Sequence, residues 1–202
     1  VGTVMPDLEV KIGENNEILL RGKTITTGYY KKPEATAAAI DKDGWFHTGD
    51  AGYLKGNHLY LTERIKDLFK TSNGKYISPQ ALETKLSIDR YIDQIAVIAD
   101  QRKFVSALIV PVYGLVKNYA KEKGLEYKDM TDLLQHPKVQ ALFRARIDTL
   151  QQQFAHYEQV KRFTLLSEPF SMERGELTNT LKLKRSVVAK NYKELIDKMY
   201  EE

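Results

Sequence analysis

Apolar and polar residues alternate along the early part of the chain. Leu8, Val10 and Ile12 are separated by Glu9 and Lys11, Gly13-Glu14-Asn15-Asn16 interrupts, and Glu17 to Gly22 resumes, which predicts strand, turn and strand. The β-branched and aromatic stretch Thr24 to Tyr30 predicts a third strand. Pro33 to Ile40 predicts a short helix with proline in its first turn, closed by Asp41-Lys42-Asp43-Gly44. Ala51 to Glu63 reads as a hairpin, with Tyr53-Leu54 and His58 to Leu61 around Lys55-Gly56-Asn57.

From Asp67 the pattern changes to alternating helix and strand. Ser72-Asn73-Gly74-Lys75 predicts a tight turn, because glycine and asparagine tolerate positive φ. Ser78 is a candidate N-cap for a helix over Pro79 to Ser87. Gln94 to Ala99 and Phe104 to Pro111 are apolar enough for buried strands, joined through Asp100-Gln101-Arg102-Lys103. A short helix over Leu115 to Lys123 is expected next. A long one follows from Pro137 to about Tyr157, with Val139, Leu142, Phe143, Ile147, Leu150, Phe154 and Tyr157 on one stripe. That stripe mixes both charge signs on its polar side, which favours packing on its own domain over a membrane or partner face. Val160 to Leu166 is a last strand, Glu168-Pro169-Phe170 a turn, and a terminal helix shows Val188, Tyr192, Leu195, Ile196 and Met199 on one face.

Composition narrows the classes. The 202 residues are 42% hydrophobic and 29% charged, ordinary for a globular protein with a real core. The net charge of +4 comes from cations spread along the chain, unlike the clustered stripe of a nucleic-acid binder. No apolar run approaches a membrane span, although peripheral membrane contact stays open. Cysteine is absent, which removes disulfides, thiolate nucleophiles and cysteine-ligated zinc, and is compatible with the cytoplasm. The chain opens on Val1 without a signal-peptide pattern or an initiator Met, and is expected to be a piece of a longer protein.

Three motifs stand in order. Gly28-Tyr29-Tyr30-Lys31-Lys32-Pro33-Glu34-Ala35-Thr36 precedes Gly44-Trp45-Phe46-His47-Thr48-Gly49-Asp50. Arg64-Ile65-Lys66-Asp67 is followed by Gly74, Ile77-Ser78-Pro79 and Glu83. Leu177-Thr178-Asn179-Thr180-Leu181-Lys182-Leu183-Lys184-Arg185 lies just before the terminal helix. Each has an ordinary structural reading: an aromatic anchor and turn, a charged link, a solvated helix start. Together they resemble the motifs of the adenylate-forming ligases, the acyl-CoA synthetase, adenylation-domain and luciferase superfamily. The last motif looks like the long-chain fatty acyl-CoA synthetase branch, with Leu181 where many members have glycine.

The resemblance implies an α+β architecture. A small β-rich subdomain (1–63, the last part of the large adenylation domain) leads through a hinge (64–67) into the α/β lid domain of the superfamily (68–202). It implies that Asp50 and Arg64 hold the ribose of ATP. A carboxylate suits that task because it accepts from two vicinal hydroxyls. Lys66 is the implied pivot, Gly74 the lining of the CoA channel, and Lys182 the catalytic lysine with Arg185 behind it. The implied reaction joins a fatty acid to CoA through an acyl-adenylate, releasing pyrophosphate and AMP. The superfamily's phosphate loop and aromatic-Gly-x-Thr-Glu motif have no counterpart in this chain. ATP, CoA and Mg2+ are therefore expected to be held mainly by residues outside it, the chain alone is expected to be inactive, and self-association stays open. The other readings are an adenylation domain or aryl-CoA ligase lid, and a non-catalytic interaction module that keeps the lid fold.

Overall fold

The structure is a computed structural model that describes residues 1–201, with the side chains of Glu63 and Lys66 outside the description. The chain divides into two compact units, Val1–Leu68 and Phe69–Glu202.

The first unit is one antiparallel sheet. Its strands are β1 (Gly2–Thr3), β2 (Leu8–Ile12), β3 (Glu17–Gly22), β4 (Phe46–Lys55) and β5 (His58–Arg64), with helix α1 (Pro33–Ala39) between β3 and β4. The spatial order is β1-β5-β4-β3-β2. Ile18, Leu19, Trp45 and Ala51 form its small core, and Lys11 and Arg21 both lie over the Trp45 ring, at 4.3 Å and 4.5 Å. The Thr24 to Tyr30 stretch is not the strand its composition suggests. It turns at once, with Ile25 N–H donating to Gly22 O, and then folds onto α1, where Tyr29 N–H donates to Thr36 Oγ1 at 2.8 Å. Both edges of β3 are already filled by β2 and β4, so the stretch cannot pair with the strand it follows. The hairpin is longer than expected, because β4 starts at Phe46 and takes Thr48-Gly49-Asp50 into the strand instead of a turn.

In the second unit, β6 (Phe69–Lys70) and β7 (Tyr76–Ile77) make a two-stranded hairpin leading into α2 (Pro79–Leu86). Ser78 Oγ caps this helix by accepting from Ala81 N–H at 3.3 Å. Then come β8 (Ile92–Ile98), β9 (Val105–Pro111), α3 (Tyr113–Glu122), α4 (Met130–Gln135), α5 (Pro137–Leu150), β10 (Val160–Leu165), α6 (Arg185–Asn191) and α7 (Lys193–Lys198). β9 is the middle strand, antiparallel to β8 and parallel to β10, and every residue in it is buried. This explains its unbroken apolar run: a strand covered on both faces has no polar side to show. Its period of two sorts the residues. Val105, Ala107 and Ile109 join a core with Leu82, Phe143 and Ile147, whereas Leu108 and Val110 join a second core with Val188 and Ile196. The sheet is thus sandwiched between α2 and α5 on one side and α6 and α7 on the other.

Three expectations are corrected here. The long helix stops at Leu150 and does not reach Tyr157. Gln151, buried just after it, accepts from Val160 N–H through Oε1 at 2.8 Å, so its side chain stands in for a strand partner where the chain turns back. Phe154 still packs on the core, while Tyr157 is exposed. The terminal helix is two short ones, broken at Tyr192, whose ring packs edge-on against Phe170 at 5.7 Å, and Leu195 lies off the buried face. Helix α4, capped by the Asp129 carboxylate accepting from Asp132 N–H, is an addition; its six residues are too few to carry a readable stripe. Among the described residues no helix is long and apolar enough to cross a membrane.

The cores imply separate unfolding. Phe143 is fully buried, and Phe143→Ala should cost about 3–5 kcal/mol in the second unit. In urea, far-UV circular dichroism should show an earlier transition, while fluorescence of the sole tryptophan, Trp45 in the first unit, keeps its midpoint.

Candidate functional site

Asp50 and Arg64 are brought together as a directly opposed cross-strand pair of β4 and β5, with Arg64 Nε donating to Asp50 Oδ1 at 3.2 Å. The Arg64 side chain is 70% exposed, so the pair is worth no more than about 1 kcal/mol. Either group can be traded to a ligand at little cost. Asp50 Oδ2 has no hydrogen-bond partner among the described residues.

The backbone around Asp50 is unusual. Leu19 pairs with His47 and Glu17 with Ala51, so β4 takes four steps where β3 takes two. Between His47 and Ala51 the strand therefore arches away from β3, while Asp50 stays paired with Arg64 of β5. Gly49 crosses the arch at φ +70°, a region that disfavours side chains. Side chains replace the missing ladder bonds. Thr48 Oγ1 donates to Ile18 O at 2.7 Å and accepts from Asp50 N–H at 3.1 Å, and Glu17 Oε1 accepts from Gly49 N–H at 3.0 Å. His47 Nδ1 lies 2.9 Å from Glu17 Oε2, and its Nε2 is 3.6 Å from Asp41. Asp41 accepts from the Trp45 and Asp43 N–H groups, and chiefly the first holds its carboxyl below the ordinary value.

Lys66 falls in the short 3-10 turn Ile65–Asp67, and its side chain lies outside the described residues. Gly74 sits at the tip of the β6–β7 hairpin with φ +74°. Thr71 builds the turn, accepting from Gly74 N–H through its carbonyl and from Lys75 N–H through its hydroxyl. A Cβ on Gly74 would meet nothing within 4 Å, so conformation, not packing in this chain, favours glycine there.

Lys182 is exposed on a second hairpin of the same unit, formed around the Leu177–Leu183 bridge. Thr178 organises it: its N–H donates to Lys182 O at 2.8 Å and its hydroxyl accepts from Lys182 N–H at 3.0 Å. Leu181, 67% exposed, is held at φ +59°, the left-handed conformation that costs most residues roughly 1–2 kcal/mol. Glycine would carry no such cost at this position.

Two carboxylates anchor the lysine hairpin. At its root Glu176, almost fully buried, accepts from Ser171 N–H at 2.9 Å, from Arg174 Nε and from Asn191 Nδ2. Burial works against its ionisation, but the bonds from Arg174, Ser171 and Asn191 outweigh burial and hold the carboxyl below its ordinary 4.5. At its exit Arg185 makes a two-pronged pair with Glu83 of α2, both bonds 2.6 Å, and Glu83 also accepts from Val97 N–H at 2.8 Å. The Glu83 side chain is 13% exposed and Arg185 31%, so this pair is less screened by solvent than Asp50–Arg64 and losing one partner costs more. The first pair is exchangeable and the second is structural.

Sequence reasoning singled out Glu83 and Arg185 as motif positions without foreseeing that they meet, and it missed Glu17, Thr48, Thr178 and Glu176 as builders of the two sites. The readable signals were Glu17 at a strand start and the Leu-Thr of the last motif. Among the described residues no group of three His, Asp or Glu side chains converges as a cation site.

Fold and site thus define an α+β protein whose first unit offers an exchangeable carboxylate–guanidinium pair and whose second presents an exposed lysine and a glycine turn on anchored hairpins. A family model described as the AMP-binding enzyme C-terminal domain matches residues 66–202, and the chain belongs to this family. It is 34% identical to a peroxisomal long chain acyl-CoA synthetase 6 of Arabidopsis thaliana, over 100% of this chain and 31% of that protein. It is 35% identical to long-chain-fatty-acid–CoA ligase 5 of Rattus norvegicus, over 94% of this chain and 28% of that one. The chain thus spans about a third of the length of these relatives. The adenylation domain of a carboxylate reductase from Mycobacterium chelonae shares its fold, with a TM-score of 0.71 at 23% identity over 98% of this chain and 31% of that one. So does the adenylation–carrier didomain of a carboxylic acid reductase from Segniliparus rugosus, with a TM-score of 0.72 at 22% identity over 98% and 28%.

Glu176 generates a pH prediction. Its carboxyl takes up a proton at lower pH in the folded chain than in the unfolded one, so its stabilisation is complete above the ordinary 4.5 and is lost as pH falls through the lowered folded value. Glu176→Gln should destabilise the second unit by roughly 1–3 kcal/mol at pH 7 and flatten the acid limb of its stability curve. Urea midpoints at pH 7 and in the acid range compare the two chains.

Proposed function

We propose that the chain is the C-terminal part of a long-chain fatty acid–CoA ligase, its first unit the end of a nucleotide-binding body and its second a mobile lid. The observation that carries this is the exposed Lys182 on a hairpin anchored at both ends, in a chain matched over nearly its whole length by relatives named as long-chain ligases. The exposed Tyr29, Tyr30, Tyr53 and Tyr60 of the first unit support a further body packing there, and leave room for self-association of the isolated chain.

In this reading a fatty acid carboxylate attacks the α-phosphorus of ATP, pyrophosphate leaves, and an acyl-adenylate forms. Lys182 sits as a point cation between two anions that otherwise repel, offsetting charge on the transferring group. Asp50 accepts from the ribose hydroxyls, and Arg64 exchanges its weak pair for the nucleotide. CoA then attacks the acyl carbonyl through its thiolate and AMP departs. Residues 64–67 are the hinge, with Lys66 as pivot, that withdraws Lys182 and turns the Gly74 hairpin toward the pantetheine. Mg2+ accompanies ATP and is held by residues outside this chain. We place the ligase in the cytoplasm, with which the absence of cysteine in this chain is compatible; the Arabidopsis relative is named peroxisomal, and fractionation decides.

The two half-reactions, measured separately in the full-length ligase, test the roles. Lys182→Ala should slow adenylate formation roughly a hundredfold, about 3 kcal/mol, and leave transfer from a supplied acyl-adenylate to CoA nearly unchanged. Gly74→Leu should spare adenylation and block transfer. Gly74→Ala is the control for backbone strain, since its methyl meets nothing in this chain. Parallel losses in both half-reactions would refute the assignment. Pyrophosphate exchange that prefers an aryl acid would redirect it to an aryl-CoA ligase.

The hinge has its own test. Limited trypsin digestion of this chain should cut after Arg64 or Lys66 first, and protection of that link would argue against it.

A further inference from the structure

We infer that Glu17 is a positioning residue for Asp50, acting through the Gly49 backbone and the His47 ring. The inference rests on the reading of Asp50 as the ribose acceptor for its consequence, but not for its geometry.

The arch over residues 48–50 is the reason Asp50 is available. In an unbroken antiparallel ladder, every second residue of β4 would bond its backbone to β3. Here two surplus residues lift out between the Leu19–His47 and Glu17–Ala51 pairs. An arch of this kind leaves N–H groups without ladder acceptors, and such groups need partners or they cost stability. Thr48 supplies one, to Asp50 N–H, and ties itself to Ile18 O. Glu17 supplies the other, to Gly49 N–H, at the point where the chain crosses left-handed φ. Its second oxygen meets His47 Nδ1, the residue at which the arch begins. One carboxylate therefore pins both the start and the crest of the arch, immediately before Asp50. Glu17 itself sits where β3 pairs with Ala51, the residue at which the arch ends. The anchor comes from a strand held on both sides, so it is rigid.

A residue that merely stabilised the sheet would act on all of it. Glu17 acts on one turn of backbone, and its loss should move Asp50 away from a diol while leaving the far end of the hairpin, where Tyr53 and Tyr60 stack at 5.0 Å, in place. Glutamine keeps an acceptor for Gly49 N–H; methionine keeps the length and apolar stem but offers no such acceptor.

The test has two arms. In this chain, amide hydrogen exchange by NMR should show Gly49 exchanging at least tenfold faster in Glu17→Met, with Tyr53 and Tyr60 unchanged, and near wild-type exchange in Glu17→Gln. Unchanged Gly49 exchange in Glu17→Met overturns the inference, and Glu17→Ser is read the same way if the methionine chain does not fold. In the full-length ligase, the ratio of kcat/KM for ATP over 2′-deoxy-ATP reads the diol contact directly. Glu17→Met should lower this ratio to within about twofold of Asp50→Ala, and Glu17→Gln should largely keep it. A normal ratio in Glu17→Met beside a collapsed one in Asp50→Ala overturns the positioning role. A normal ratio in Asp50→Ala instead overturns the ribose reading, and leaves Glu17 to be judged on Gly49 exchange.

Discussion

The two-pronged ion pair between Arg185 and Glu83 is the constraint on which the second unit's arrangement depends. Glu83 lies on α2, directly after the glycine hairpin, and Arg185 opens α6, directly after the lysine hairpin. Their bond joins the two hairpins on opposite faces of the central sheet. An arginine at a helix start opposes the helix dipole, and the Glu83 carboxylate offsets that charge while Val97 N–H orients it. Because Glu83 is mostly covered and doubly bonded, the pair is less screened by solvent than Asp50–Arg64. Both hairpins thus belong to the second unit and are tied to each other through this pair.

The first unit is built on the opposite principle. Its Asp50–Arg64 pair is exposed and weak, and lies where β4 bows away from β3 while staying paired with β5. The energy of the region lies in neutral and charge-assisted hydrogen bonds from β3 to the arch, not in the pair itself. A weak contact on a firmly pinned backbone is what the proposed ribose role of Asp50 and Arg64 asks for, since strong pairing between them would compete with a ligand.

Much of this was legible in the chain. Period-two alternation marked β2, β3 and the hairpin of β4 and β5, and the apolar run of β9 marked a strand covered on both sides. Ser78-Pro79 marked the start of α2 because capping is local chemistry, decided within a few residues. The motif order pointed to Asp50, Arg64, Gly74 and Lys182 as the residues to examine. Where the reading failed, a distant partner had decided. Thr24 to Tyr30 has strand-forming residues but bonds to α1, and the long helix stops at Leu150, where the Gln151 side chain takes the Val160 backbone.

The sequence by itself determined β2, β3, the β4–β5 hairpin, the buried strands β8 and β9, the glycine turn at Gly74 and the start of α2, since these follow from side-chain period and local backbone preference. Only the tertiary structure decided that Glu83 meets Arg185 across about a hundred positions of chain, that Glu176 is buried yet ionised, and that two extra residues of β4 rise into an arch held by Glu17. Each of these depends on register and on a partner far away in sequence. The free energy of a buried carboxylate is set by whichever donors the fold brings to it, and no local pattern encodes them.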